Sequence, residues 1–215
     1  MPPADPPFVF VGNHRALDFV NTEVAADGVP RDLLVAFPDL VRWLERAGAI
    51  DHAAAGSALG RWNGKRQGET ILAEARALRS ALRRLADAAA GRAVPRASLE
   101  AINGLLARGA ATTRVVSGEA GFAVQHGLRL EAPADLLVPI AEAAADLLCH
   151  ADLGRVRRCA HPACVLYFLD GTKNGTRRWC DMRTCGNRVN AAAYYRRQRA
   201  GDAPASPPSP PEPVA

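Results

Sequence analysis

Four cysteines fall within 27 residues as Cys159-x4-Cys164-x15-Cys180-x4-Cys185, and no other feature constrains the fold of this chain as much. Two close pairs of thiolates separated by a longer loop supply the four tetrahedral ligands of a structural zinc site. Each x4 loop is slightly longer than the usual spacing within a pair, so each knuckle is expanded, with Pro162 and Gly186 able to shape the turns. Between the pairs, Tyr167-Phe-Leu-Asp170, a turn at Gly171 to Gly175, and Arg177-Arg-Trp-Cys180 read as a hairpin whose tiny core needs a metal staple. His161 lies inside the first knuckle, but four thiolates already complete the shell, so it is expected not to ligate. A closed shell of this kind leaves no position for an activated water, which makes the expected single zinc ion structural.

The fifth cysteine, Cys149, sits in the apolar run Asp146-Leu-Leu-Cys149 and is expected to be a small buried hydrophobe. An odd count argues against a disulfide framework. The start, Met-Pro-Pro-Ala-Asp-Pro-Pro, lacks the basic and apolar stretches of a secretory signal, and no apolar run approaches the roughly 20 residues that span a bilayer. A cytoplasmic protein without a membrane segment is therefore expected.

The net charge of +5 becomes informative when divided along the chain. Residues 1–150 hold 16 Lys/Arg and 17 Asp/Glu, whereas residues 151–200 hold 11 and 3. The basicity belongs to the cysteine-bearing module, as expected of a polyanion binder. With 215 residues and 48% apolar content the chain is long enough for two small domains. We expect an α+β domain over residues 8–150, a zinc finger over 151–201, and a Pro/Ala/Ser tail over 202–215 that lacks the apolar content to order itself.

In the first domain, Phe8–Val11 reads as a strand turning at Gly12-Asn13 into the apolar return segment Ala16–Thr22, which Asp18 and Asn21 interrupt. Pro30 to Pro38 reads as a connector. Helices are expected over Asp39–Ala47, stopped by Gly48, over a short Ala-rich segment capped by Asp51, and over about Glu69–Ala90 with an Arg-rich outer face. Pro95 opens a helix that turns Leu99, Ile102, Leu105 and Leu106 towards the core. A hairpin follows, with arms Thr113–Ser117 and Phe122–Leu130, and a last helix runs from after Pro133 to about His150. The domain is thus mainly helical with short β-hairpins.

Cys185-Gly186-Asn187-Arg188, with Cys159-x4-Cys164, Phe168-Leu-Asp170, Asn174-Gly175 and Arg177-Arg-Trp-Cys180, closely resembles the CGNR zinc-finger family. Gly12-Asn13 followed by Ala16-Leu-Asp-Phe-Val-Asn-Thr22 is similar to the opening of the ABATE domain, which accompanies this finger in bacterial stress-induced transcription regulators. The resemblance spans nearly the whole chain except the tail. It implies a treble-clef-like finger (knuckle, β-hairpin, knuckle, helix), zinc ligation by Cys159, Cys164, Cys180 and Cys185, and binding to double-stranded DNA.

From Asn187 the sequence reads as a helix ending near Gly201, its start fixed beside the metal by Cys185. Arg188, Tyr195 and Arg199 share one stripe, while Val189 and Ala193 can pack inward. Lys173, Arg177 and Arg178, together with Arg188, Tyr195, Arg196 and Arg199, form the candidate nucleic-acid surface, supplemented by Arg155, Arg157 and Arg158. Arginine pairs with phosphate and, through two parallel hydrogen bonds, with guanine. The alternative is a zinc-stabilised adaptor that binds RNA or protein, although the sequence lacks an aromatic platform that would favour single-stranded RNA.

For residues 8–150 the expectation is a sensing domain, with Asn13, Asp18 and Asn21 either bracing the fold or lining a pocket for a small-molecule effector. A homodimer is the default oligomer. His14, Asp18, His126 and His150 could supply acid-base chemistry, but no nucleophile motif, phosphate loop or metal-hydrolase spacing supports them, so no enzyme is expected.

Overall fold

The computed structural model describes residues 8–201 except 27, 90–93 and 119–120; the tail expected over 202–215 lies outside them. Phe8–Val11 is not a strand, and the return segment is a short helix, α1 (Arg15–Val20), capped by His14. Its Ala16, Leu17, Phe19 and Val20 are all buried, so it is apolar on nearly every side and carries little helical periodicity. The connector expected from Pro30 begins instead as β2 (Val29–Asp32), which pairs antiparallel with β1 (Glu23–Ala26). Four-residue strands containing a proline give a weak sequence signal.

The helices α2 (Phe37–Arg46), α3 (His52–Trp62) and α4 (Arg66–Ala88) follow. The Asp39 carboxylate accepts from the Val35 and Ala36 N–H groups at the start of α2, and α2 stops at Gly48. Asp51 caps α3 by accepting from Ala54 N at 2.8 Å, as expected. In α4, Ile71, Leu72, Ala75, Leu78, Leu82 and Leu85 are buried, the apolar face read from the sequence. Its arginines do not all lie on an outer face, because Arg79 is only 5% exposed.

α5 (Arg96–Leu106) buries Ile102 but leaves Leu99 38% exposed, so Leu99 is not a core residue as expected. The hairpin β3 (Ala111–Gly118) and β4 (Gly121–Leu128) has the expected antiparallel register, with Val115 opposite Val124 and Ser117 opposite Phe122. A 3-10 turn over Pro133–Leu137 leads into α6 (Val138–His150). Cys149 is exposed, which corrects its reading as a buried residue: α6 buries Ile140, Ala144 and Leu147, and position 149 lies about 200° around the helix from Leu147.

Leu17, Phe19, Leu34, Leu40, Trp43, Leu44, Ile71, Leu136 and Ile140 are almost wholly buried in one core, each such side chain contributing about 1.5–3 kcal/mol. That core continues into the cysteine-bearing region, since Val156 and Tyr167 belong to it. β5 (Val156–Arg158) pairs antiparallel with β6 (Tyr167–Leu169), a π-turn spans Met182–Gly186, and α7 (Asn187–Gly201) closes the described chain. The strand partner of Tyr167–Leu169 is therefore upstream of the first knuckle, and Arg177–Cys180 forms no strand. The architecture is α+β, mainly helical, ending in a four-cysteine finger. Among the described residues no helix is long and apolar enough to cross a membrane.

Candidate metal centre and nucleic-acid interface

The first knuckle is the turn of the β5–β6 hairpin. Cys159 N donates to Leu166 O at 2.9 Å, and Cys164 N donates to His161 O at 2.9 Å, which fixes both sulfurs on one side of the turn. His161 Nδ1 accepts from Ala163 N at 3.2 Å and so belongs to the knuckle's own bonding. Cys180 N donates to the Cys159 sulfur at 3.4 Å, tying the second pair to the first. The π-turn then brings Cys185 back, with Asp181 accepting from Arg183 N at 2.6 Å. A Cβ at Gly186 would lie 3.1 Å from the Trp179 indole, so the ring beside the sulfurs would have to give way to a larger residue there.

All four sulfurs lie within 4.8 Å of one another, with Cys164–Cys180 at 3.8 Å and Cys180–Cys185 at 3.6 Å. A disulfide needs about 2.05 Å. A tetrahedron of sulfurs about 2.3 Å from zinc has edges of about 3.8 Å, so this donor set fits one zinc ion. The thiols are buried together, and hydrogen bonding to Cys159 pushes the Cys164 thiol up to about 12, while Cys159 falls far below the ordinary range as the group that ionises first. A divalent cation removes this mutual opposition and holds all four as thiolates.

Phe168 is fully buried against the sulfurs, and Val9, Val11, Val24 and Trp179 pack around them. All three valines come from the N-terminal region, which thus completes the small core around the sulfurs. The polar joints are as extensive. Asn21 donates from Nδ2 to Tyr167 O at 2.9 Å and accepts from Tyr167 N at 2.8 Å. Asn13 Nδ2 donates to Leu169 O at 3.1 Å, and Leu169 N donates to Gly12 O at 2.8 Å. Asp18 accepts from Gly12 N at 2.7 Å; a Cβ on Gly12 would come within 2.9 Å of Asp18, which is why glycine stands there. Burial raises the Asp18 pKa against that hydrogen bond. Of the two roles expected for Asn13, Asp18 and Asn21, these bonds supply bracing.

The basic residues divide into two groups. Arg177 donates to Val11 O at 3.0 Å, to Trp179 O at 3.0 Å and to Cys180 O, and its guanidinium lies 4.2 Å from the Phe168 ring. It is a clasp between the domains. Arg155 likewise donates to Thr172 O at 2.7 Å and Asp170 O at 3.3 Å. By contrast, Lys173, Arg178, Arg188, Tyr195, Arg196 and Arg199 are exposed. Arg178 stacks over Trp179, 5.1 Å from its ring. Tyr194 and Tyr195 meet edge to face at 5.7 Å and are 53% and 65% exposed.

Three residues of the domain joint escaped the sequence reading. Tyr167 donates from its hydroxyl to Asp87 at 2.6 Å, and burial together with that carboxylate raises its pKa to about 12. Arg83 lies over the Tyr167 ring at 5.5 Å and donates to Val20 O and Val165 O. Arg83 and Asp87 are one turn apart on α4, but their partner is about 80 positions away, so no local pattern marks them.

Comparison with known families assigns both halves. A family described as "Putative stress-induced transcription regulator", ABATE, matches residues 13–151, and the CGNR zinc finger matches residues 155–198. A search among curated proteins finds no match. The helical region joined through Asn21 and the four-cysteine site joined through Tyr167 thus coincide with the two matched models, and the chain belongs to the ABATE family, with a CGNR zinc finger following its ABATE domain.

Proposed function

We propose that this protein is a cytoplasmic, DNA-binding transcription regulator in which the zinc finger presents α7 to double-stranded DNA and the N-terminal domain senses a signal. The observation that carries the reading is the state of α7. The helix has four arginines and no acidic residue, its side chains are exposed along most of its length, and it begins two residues after Cys185. Apart from half-buried Val189 and Ala193, the described side chains of this acid-free helix face solvent, and its width suits the major groove. Lys173 and Arg178 extend the cationic surface, while Arg188 and Arg199 lie on the stripe suited to base edges. Arg177 is proposed to act indirectly, holding the finger in place. Functionally, residues 8–150 sense and 151–201 bind; in packing the two share a core. A homodimer would read two half-sites.

Selection of fragments from the source genome by the zinc-loaded protein tests this. Specific duplexes should survive excess nonspecific DNA and weaken as salt rises. Failure to enrich any fragment overturns the reading. Exposed Tyr194 and Tyr195 support a second reading, single-stranded RNA binding by stacking. It predicts stronger binding to single strands than to duplex, and loss of that preference in Tyr195→Ala. No catalytic role is proposed.

A further inference from the structure

A cleft of about 1180 Å³ opens between the start of α3, the base of the β3–β4 hairpin and α6, and no residue of the finger lines it. Its charged lining residues are Arg15, Asp51, Arg114 and Glu142, two of each sign. Asp51 is occupied in capping α3, and Arg15 donates to Gly48 O at 3.2 Å. Arg114, on β3, and Glu142, on α6, have no hydrogen-bond or ion-pair partner among the described residues. They stand on different elements of the cleft, with Ile50 and Leu128 contributing apolar lining.

We propose that this cleft is the sensing site and that it takes a short peptide with a free ammonium and a free carboxylate. A lining with equal charge of both signs favours a ligand that also carries both, and two unpaired charges on separate elements suit the two ends of one molecule. Glu142 receives the ammonium; Arg114, helped by Arg15, receives the carboxylate through paired N–H donors. The volume exceeds the roughly 300–1,000 Å³ of drug-sized sites, which leaves room for several residues and not for a single amino acid alone. The apolar lining accepts their side chains.

The cleft also touches the element that holds the finger. Arg15 begins α1, and Asn21 at the end of α1 grips the backbone of Tyr167. A carboxylate that engages Arg15 competes with Gly48 O and thereby acts on the helix from which the finger is held.

The proposal rests on the sensing role given above to the N-terminal domain, and its test needs no DNA, so it and DNA binding fail separately. Zinc-loaded full-length protein is titrated calorimetrically with tri-alanine, tri-leucine and tri-serine, each with free termini, N-acetylated, or C-amidated. At least one free tripeptide is expected to bind. Acetylation or Glu142→Gln should weaken it by about tenfold or more, as should amidation or Arg114→Gln, because each removes a charged hydrogen bond. Blocking an end and substituting its partner should not add. The proposal is overturned if no free tripeptide binds, if blocked peptides bind as tightly, or if both variants retain full affinity while keeping their zinc.

Discussion

α4 and α7 are both rich in arginine, and they use it in opposite ways. On α4, Arg76, Arg79 and Arg83 recur at three and four residues and face acids brought by the β1–β2 hairpin. Arg76 pairs with Asp32 at 3.1 Å, Arg79 grips Asp32 with two bonds of 2.7 Å, and Arg83 reaches Glu23 at 3.4 Å. On α7, Arg188, Arg196 and Arg199 are exposed on a helix without acids. An arginine ladder opposite carboxylates is internal mortar; one left without them is a surface for someone else's anions. The difference lies in the partners and not in the helices.

Five interventions test that contrast, the largest first. Removing zinc, or replacing Cys164 or Cys180 by serine, should unfold the finger outright, since structural zinc in such modules is worth about 10–16 kcal/mol at neutral pH. Considered alone, the finger would melt and leave the helical domain intact. Because Val156 and Tyr167 sit in the main core, hydrogen exchange should instead quicken in α1 and α4 as well. Unchanged protection there would show the two regions to be energetically separate.

Asp32→Asn should cost about 1–3 kcal/mol in denaturant unfolding by removing the two-bond carboxylate partner of buried Arg79, with Thr22 and Glu23 remaining, and should leave nucleic-acid affinity unchanged. Burial works to raise the Asp32 pKa, but the Arg79 hydrogen bonds and charge outweigh it and the net shift is downward. The pair's contribution is therefore fully present above the unfolded aspartate value and is lost as pH falls through the lower folded value. Wild type should lose stability relative to Asp32→Asn across that acidic window.

Asn21→Ala leaves the Tyr167 amide and carbonyl unsatisfied and should cost about 1–3 kcal/mol. On α7, and at Arg178 beside it, the effects should appear in binding and not in melting. Arg188→Ala should cost about 1–3 kcal/mol at one base position and relax preference there, whereas Arg178→Ala, outside the helix, should weaken all sequences alike and lower the salt slope by about 1. If either substitution lowers the melting temperature as Asp32→Asn does, the contrast between the two helices fails.

What could be read from the residues was what is decided locally. The cysteine quartet, the cap at Asp51, the stop at Gly48 and the bounds of α7 each follow from neighbours a few positions away. What could not be read was decided at long range. Arg79 looked solvated because Asp32 lies 47 residues earlier, and Arg177 looked like a phosphate ligand because its acceptor Val11 lies 166 residues away. Tyr167–Leu169 was assigned the wrong strand partner because the segment between the knuckles resembles a hairpin, while Asp170 accepts from Thr172 N and Arg177 N and closes a loop there instead. The alternating apolar and polar residues of Phe122–Leu130 mark β4, yet Phe122 is 85% exposed, since periodicity reports pleat and not burial.

The amide of Asn21 presents one donor and one acceptor to Tyr167, as a neighbouring strand would. β6 has β5 along one side, and on the other the amides of Asn21 and Asn13, with Gly12 O between the two, imitate a third strand. The sheet margin is thereby sealed against recruitment by another molecule. An unsealed margin would make the protein prone to stick to itself as its concentration rises, so the same asparagines that join two domains also guard solubility.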